Sequence, residues 1–119
     1  MTTLLRITAD ADGRARFSDL DLPMRAEPGQ LEVSAAIAVT EAVVFSAPAG
    51  NGHPEQPESR RQLAVVLSGT CNVVASGETR TCRPGDVLLV EDTDGEGHSS
   101  WTDEGATFLM IALDEGATW

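Results

Sequence analysis

The sequence predicts an all-β domain, built as a sandwich or a barrel. Its apolar residues fall in runs of about four to eight, which is the usual length of a strand. Turn residues separate these runs, as in "SGE", "RPGD" and "TDGEG". No segment repeats its apolar residues with the 3.6-residue period of a helix.

The first 25 residues are expected to form an arm on the domain. Their acidic, turn-rich stretch "ADADGRARFSDLDLP" lacks a sustained apolar run, and one short strand is predicted around Leu4 to Ile7. The barrel itself is assigned to 26–115, so that 1–119 forms a single domain.

The next predicted element has a period of two residues. In "LEVSAAIAV" every second residue is apolar and shares one face of a strand, namely Leu31, Val33, Ala35, Ile37 and Val39. This strand is expected to end at a break at Thr40–Glu41, before a second run, "EAVVFS". A loop rich in Gly and Pro, "APAGNGHPEQPESRR", follows.

The second half continues as short strands, and its two cysteines lie in one predicted hairpin. If Ser76–Gly77 forms a two-residue loop, Cys71 lies opposite Cys82 at a separation that permits a disulfide. A three-residue loop would shift the register and separate them. Reduced thiols are expected, because the chain shows no signal peptide and a cytoplasmic location is the default.

Charge and composition exclude several classes of function. The formal net charge of −11 argues against nucleic acid and anionic membranes as partners. No apolar run approaches the length of a membrane-spanning helix. The chain has no lysine and no tyrosine, so it offers no Schiff-base lysine and no tyrosine acid/base group. "SRRQ" is the one paired basic cluster that an anionic ligand could use.

From Gly50 to Leu113 the chain resembles the cupins, a family of small jelly-roll barrels. The first cupin motif, G-x5-H-x-H-x3,4-E-x6-G, fits the spacing from Gly50 to Gly69, and the second ends at His98 with two extra residues and no proline. "PGDVLLVEDTDGEGH" also resembles a subgroup of short bacterial cupins. The resemblance implies a cupin-type double-stranded β-helix, and a homodimer paired through edge strands such as "LEVSAAIAV".

The four ligand positions of metal-binding cupins have changed in this chain. They carry Gln56, Glu58, Gln62 and His98, which offer only one imidazole and one carboxylate. We therefore expect no cofactor; the alternative is a divalent transition metal held by these four residues. His53 is close enough in sequence to replace a lost ligand, but an exposed loop position is the expectation we favour.

The resemblance places these four side chains in one cavity, which suggests proton-transfer chemistry. Glu58 and His98 are predicted as a catalytic acid/base pair, and Gln56 and Gln62 as groups that orient a ligand. The predicted function is a cofactor-independent isomerase, cyclase or lyase acting on a small oxygenated metabolite. The alternatives are a metal-dependent oxygenase or isomerase, and a ligand-binding or regulatory protein without catalysis.

Four further positions have alternative interpretations. Arg60 shares the inward face if its strand is regular, where it binds a ligand carboxylate or pairs with Glu58. Trp101 packs in the barrel wall or stacks on a ligand, and Trp119 anchors a subunit contact or stays exposed. Asp92 begins an acidic series resembling an EF-hand calcium loop, but a solvated loop between strands is the expectation we favour.

Overall fold

The computed structural model describes residues 2–119 and consists of β-strands joined by turns and loops. No helix among these residues is long and apolar enough to cross a membrane. The strands are β1 (Thr2–Ala9), β2 (Ala15–Leu22), β3 (Met24–Glu27), β4 (Leu31–Ser34), β5 (Val39–Ala47), β6 (Gly52–Gln56), β7 (Gln62–Gly69), β8 (Cys71–Ala75), β9 (Glu78–Cys82), β10 (Val87–Glu91), β11 (His98–Trp101) and β12 (Ala106–Leu113).

Two sheets form the barrel. The larger has six strands in the order β2-β1-β10-β7-β12-β5, and the smaller has four in the order β6-β11-β8-β9. Strands β3 and β4 form a separate hairpin. The pairings between the described strands are antiparallel except that of β1 with β10. The predicted all-β barrel is confirmed.

The core lies between the two sheets. Strand alternation places every second side chain inside, as in β8, where Cys71, Val73 and Ala75 are buried. Ile7 of β1 and Val66 of β7 are the largest fully buried apolar residues. A smaller cluster is built on Leu63, Leu89 and Leu113 of the large sheet. Because successive side chains of a strand point to opposite faces, these leucines lie on the face away from the main core.

The N-terminal segment is not the arm with one short strand that was predicted. Its described residues form two eight-residue strands, and β1 lies inside the large sheet between β2 and β10. The acidic character of β2 misled the prediction, because an edge strand is partly open to solvent and accepts charged side chains. Ala15 and Leu22 supply buried ends, while Asp19 and Asp21 lie on the solvent side.

The prediction of one continuous strand over "LEVSAAIAV" was also wrong. Strand β4 ends at Ser34, and β5 begins at Val39 and runs through the predicted break at Thr40–Glu41. The two strands pair with different partners, β3 and β12, so the intervening chain has to leave the sheet. Trp119 donates its indole N–H to the carbonyl of Ala35 in this segment, at 2.8 Å, so it contacts its own chain.

Strand β5 is an edge of the large sheet, and Val39, Val43, Val44 and Phe45 on it are exposed. The expected homodimer stays a prediction.

The hairpin prediction at the cysteines is confirmed. Ser76 and Gly77 have φ values of 49° and 79°, the positive values that a two-residue type I′ turn requires. The register pairs Cys71 with Cys82. Both are buried free thiols whose side chains line the interior of the barrel.

These thiols make stability sensitive to alkaline pH. Burial, and then the neighbouring Cys71, raise the pKa of Cys82 from 9.0 to about 11. Between these values the unfolded chain loses a proton that the folded chain keeps, so stability falls as pH rises from 9 to 11. We expect a loss of roughly 2–3 kcal/mol in the free energy of unfolding, measured by urea titration at each pH.

The composition makes this measurement unusually clean. With no lysine and no tyrosine, the two thiols are the side chains that titrate in this range. The control is Cys82→Ala, which lowers stability at every pH but should flatten the slope. An unchanged slope in that variant would show that Cys82 is not its source.

Candidate active site

A cavity of about 460 Å³ opens between the two sheets. Its walls are mainly apolar, with Val66, Val90 and Phe108 among the lining residues. Its polar lining includes His53, Gln56, Glu58, Gln62 and His98. The structure thus brings together all four residues at the changed motif positions, and adds His53.

His98 is fixed in the wall of this cavity. It begins β11, is only 4% exposed, and pairs in register with Gln56 of β6. The close approach of β6 depends on Gly97, where a Cβ atom would overlap the backbone of Gln56 and Pro57. A glycine just before the histidine therefore permits the contact that positions it.

Asp92 holds the ring of His98 from behind. Its Oδ2 atom lies 2.6 Å from Nδ1 of His98, and the residue has no exposed surface. Its other oxygen, Oδ1, has no hydrogen-bond partner among the described residues. Because a carboxylate oxygen accepts, the ring donates from Nδ1 and presents Nε2 on the cavity side.

This position of Asp92 rules out the calcium-loop interpretation. A calcium loop needs its acidic side chains to converge on one point. Here Asp92 is inside the barrel, Ser100 lies in strand β11, and Asp103 accepts a hydrogen bond from Asn72.

Glu58 faces His98 from the loop between β6 and β7. Its backbone N–H donates to the carbonyl of Asp92 at 3.0 Å, which links this loop to the residue that hydrogen-bonds His98. Its Oε2 accepts from the amide of Gln62 at 2.9 Å, and its Oε1 lies 3.5 Å from Nε2 of His98. The predicted pair, Glu58 and His98, is therefore in proximity, with Gln62 holding the carboxylate.

His53 does not occupy the exposed loop position that was favoured for it. It lies in β6, is half-buried, and its ring is 5.0 Å from that of His98, edge to face. Its Nδ1 atom is 2.8 Å from the carbonyl oxygen of Pro54. One ligand atom each from His53, Glu58 and His98 lie within 4.8 Å of one another.

Arg60 does not share the inward face. The chain between β6 and β7 is irregular, and Arg60 is exposed and forms an ion pair with Glu41. Arg61 pairs with Glu91 at 2.6 Å. Both arginines of the one paired basic cluster thus have carboxylate partners outside the cavity.

Two other predicted residues lie at the rim of the cavity. Gln56 lines it but is exposed, at the end of β6. Trp101 lines it at the end of β11 and is 38% exposed. Both are placed to contact a ligand that enters the cavity.

The donor set that a metal would meet differs from the one read off the sequence. Gln56 and Gln62 are amides, but His53 supplies a second imidazole beside His98 and Glu58. Two imidazoles and a carboxylate fit a divalent transition metal such as zinc. These three residues would hold such an ion.

Sequence reasoning missed the roles of Asp92 and His53. A signal for Asp92 was present, because it is the first residue of "DTDGEGH" and the loop's glycines allow the chain to double back on His98. For His53 the only signal was its position three residues before Gln56.

Comparison with known proteins agrees with the observed barrel. A family model described as the EutQ-like cupin domain matches residues 34–108, and no curated protein sequence matches. A cupin superfamily protein from Desulfitobacterium hafniense has 19% identity and a TM-score of 0.55, over 80% of this chain and 79% of the other. A structure assigned to ethanolamine utilization protein Q of Salmonella typhimurium has 17% identity and a TM-score of 0.53, over 95% and 96%.

A cupin 2 conserved barrel domain protein from Salinispora arenicola is similar at 20% identity and a TM-score of 0.54, covering 81% of this chain and 80% of the other. At these identities the structures show a shared fold. The family model covers more than half of the sequence and ends within β12 of the barrel. The chain therefore belongs to the EutQ-like cupin domain family.

Proposed function

We propose that this chain is an enzyme that moves a proton on a small oxygenated molecule, in an isomerisation, cyclisation or elimination, without a cofactor. Glu58 and His98 are the proposed acid/base pair. The observation that carries the proposal is their placement: Oε1 of Glu58 and Nε2 of His98 are 3.5 Å apart on the wall of an otherwise apolar cavity.

His98 is prepared for proton transfer by its surroundings. Asp92 accepts the Nδ1 proton, so a neutral ring carries its lone pair on Nε2, which faces Glu58. A carboxylate behind the imidazole also fixes its orientation and balances the charge when Nε2 takes a proton. Asp92 acts here as a positioning residue.

Glu58 can serve as the second proton-transfer group. Gln62 holds Oε2, which leaves Oε1 turned toward His98. The side chain is 22% exposed, so a ligand in the cavity can reach it. Isomerisation and elimination both require that one group removes a proton and that another returns or delivers one, which two adjacent titratable groups supply.

The lining of the cavity favours an uncharged ligand. No arginine is among the described residues that line it, and Arg60 and Arg61 pair with Glu41 and Glu91 outside. The chain's net charge of −11 also disfavours anions. We therefore propose a neutral molecule with carbonyl or hydroxyl oxygens, oriented by the amides of Gln56 and Gln62.

The test is exchange of carbon-bound protons. The protein is incubated in D₂O with a panel of neutral ketones, hydroxyketones, lactones and sugars, and loss of the proton next to the carbonyl is followed by ¹H NMR. We expect catalysed exchange with at least one compound, and a reduction of about 10²-fold or more in Glu58→Gln.

Glu55→Gln is the matched control. It makes the same chemical change three residues away, at an exposed residue outside the cavity lining, and should exchange at the original rate. Equal rates in Glu58→Gln and the unmodified protein would contradict the assignment of Glu58. Absence of exchange across the panel would contradict the proposed chemistry.

A further inference from the structure

We infer that His53, Glu58 and His98 form a binding site for one divalent transition-metal ion, a site in which His53 replaces the histidines missing from the cupin motif positions. The inference concerns the same cavity as the proposed function but does not depend on it. It rests on the convergence of one ligand atom from each residue, all within 4.8 Å of one another.

The state of His53 is set by its own backbone. The carbonyl oxygen of Pro54, 2.8 Å from Nδ1, can only accept, so Nδ1 carries the proton. The neutral ring then has its lone pair on Nε2. Half-buried in β6, the ring is edge-to-face with that of His98, at a centroid distance of 5.0 Å.

His98 has the same arrangement, with a stronger acceptor. Its Nδ1 donates to the buried Asp92, which leaves Nε2 on the side of Glu58. A histidine that ligates a metal usually donates its other ring N–H to a carboxylate or carbonyl, which fixes the tautomer and strengthens the ligand. Both histidines here satisfy that condition, one with each kind of acceptor.

The carboxylate completes the set. Gln62 donates to Oε2 of Glu58 and holds the group beside the rings. Two neutral imidazoles and one carboxylate are the donor set of catalytic zinc sites that keep an open position for water or substrate. When bound, such an ion acts as a Lewis acid that polarises an oxygen atom of a small molecule in the cavity.

Metal binding and cofactor-free proton transfer compete for the same atoms. A bound ion occupies the lone pairs of His98 and Glu58 that the proposed function requires. The ion is therefore expected to inhibit the exchange reaction, and this consequence rests on the proposed function.

The experiment uses the full chain, freed of metal with EDTA and dialysed. Zn²⁺ is titrated by calorimetry, and Co²⁺ is added in a parallel sample to record its visible absorption bands. We expect one ion per chain. The His53→Gln variant should lose at least about 10-fold in affinity, and Asp92→Asn about 10-fold through the second coordination shell.

Glu55→Gln is again the control and should bind as the unmodified chain does. Urea unfolding of each variant without metal separates loss of a ligand from loss of the fold; His53→Gln is expected to remain folded, because His53 is only half-buried. Absence of Zn²⁺ binding, or equal affinity in His53→Gln and the unmodified chain, would overturn the inference.

Proton exchange measured in the same samples separates the two proposals. Exchange that Zn²⁺ suppresses supports both. Exchange that requires the ion overturns the cofactor-free function and leaves the metal site standing. Exchange in a chain that binds no ion supports the cofactor-free function and overturns the metal site.

Discussion

Replacing His98 by alanine should lower the free energy of unfolding by about 3–5 kcal/mol, because it leaves the carboxylate of Asp92 buried without its partner. Asp92 has no exposed surface, and within residues 2–119 its one side-chain hydrogen bond is to Nδ1 of His98. An unpaired charge in such a position is among the most destabilising changes a point mutation makes. Urea unfolding measures the effect.

A second substitution tests whether the buried charge is the cause. Adding Asp92→Asn to His98→Ala removes the charge and keeps the shape, so it should restore part of the lost stability although it is destabilising alone. His53→Ala provides the control: that histidine is half-buried and hydrogen-bonds a backbone carbonyl, so its loss should cost about 1 kcal/mol. Additive effects of Asp92→Asn and His98→Ala would contradict the explanation.

Replacing Gly97 by alanine should destabilise the protein strongly, for two separate reasons. Its φ of 75° alone costs alanine roughly 1–2 kcal/mol. In addition, the new Cβ would overlap the carbonyl group of Gln56 and the nitrogen of Pro57. These are backbone atoms that cannot rotate away, so β6 has to move, and it carries His53 with it.

Gly116→Ala separates the two costs. Gly116 has a φ of 77°, but nothing lies within 4 Å of the place that a Cβ atom would take. Alanine there should lose stability only through the unfavourable backbone conformation. Gly97→Ala should exceed it by at least about 2 kcal/mol in urea unfolding, which is the scale of strain from overpacking. Similar losses in the two variants would show that the approach of β6 to β11 does not depend on Gly97.

The predictions from sequence succeeded where local patterns determine structure. The two-residue turn at Ser76–Gly77 sets the register of its hairpin, and with it the pairing of Cys71 and Cys82. The resemblance to the cupins, carried by the motif spacing, implied that Glu58 and His98 share one cavity, because positions in a barrel of fixed topology keep their direction even when the side chains change. The hairpin inference needed no knowledge of distant contacts, whereas the cavity inference took them from the resemblance.

The predictions failed where strand pairing or the path of an irregular loop determines the structure. The polar stretch before Leu22 gives no sign that β1 pairs in parallel with β10, and "LEVSAAIAV" gives no sign that its two ends join different sheets. Arg60 turned outward because the chain between β6 and β7 is irregular, and there it pairs with Glu41 of β5.

The sequence alone thus determined an all-β domain and a cysteine hairpin, since periodicity and turns are properties of the chain itself. Its resemblance to the cupins implied the barrel cavity that contains Glu58 and His98. Only the tertiary structure decided that Asp92 supports His98 from behind and that His53 joins it in the cavity. The position of His53 beside His98 depends on the loop at Gly97 folding against β6, a contact between segments about 40 residues apart that no local pattern encodes.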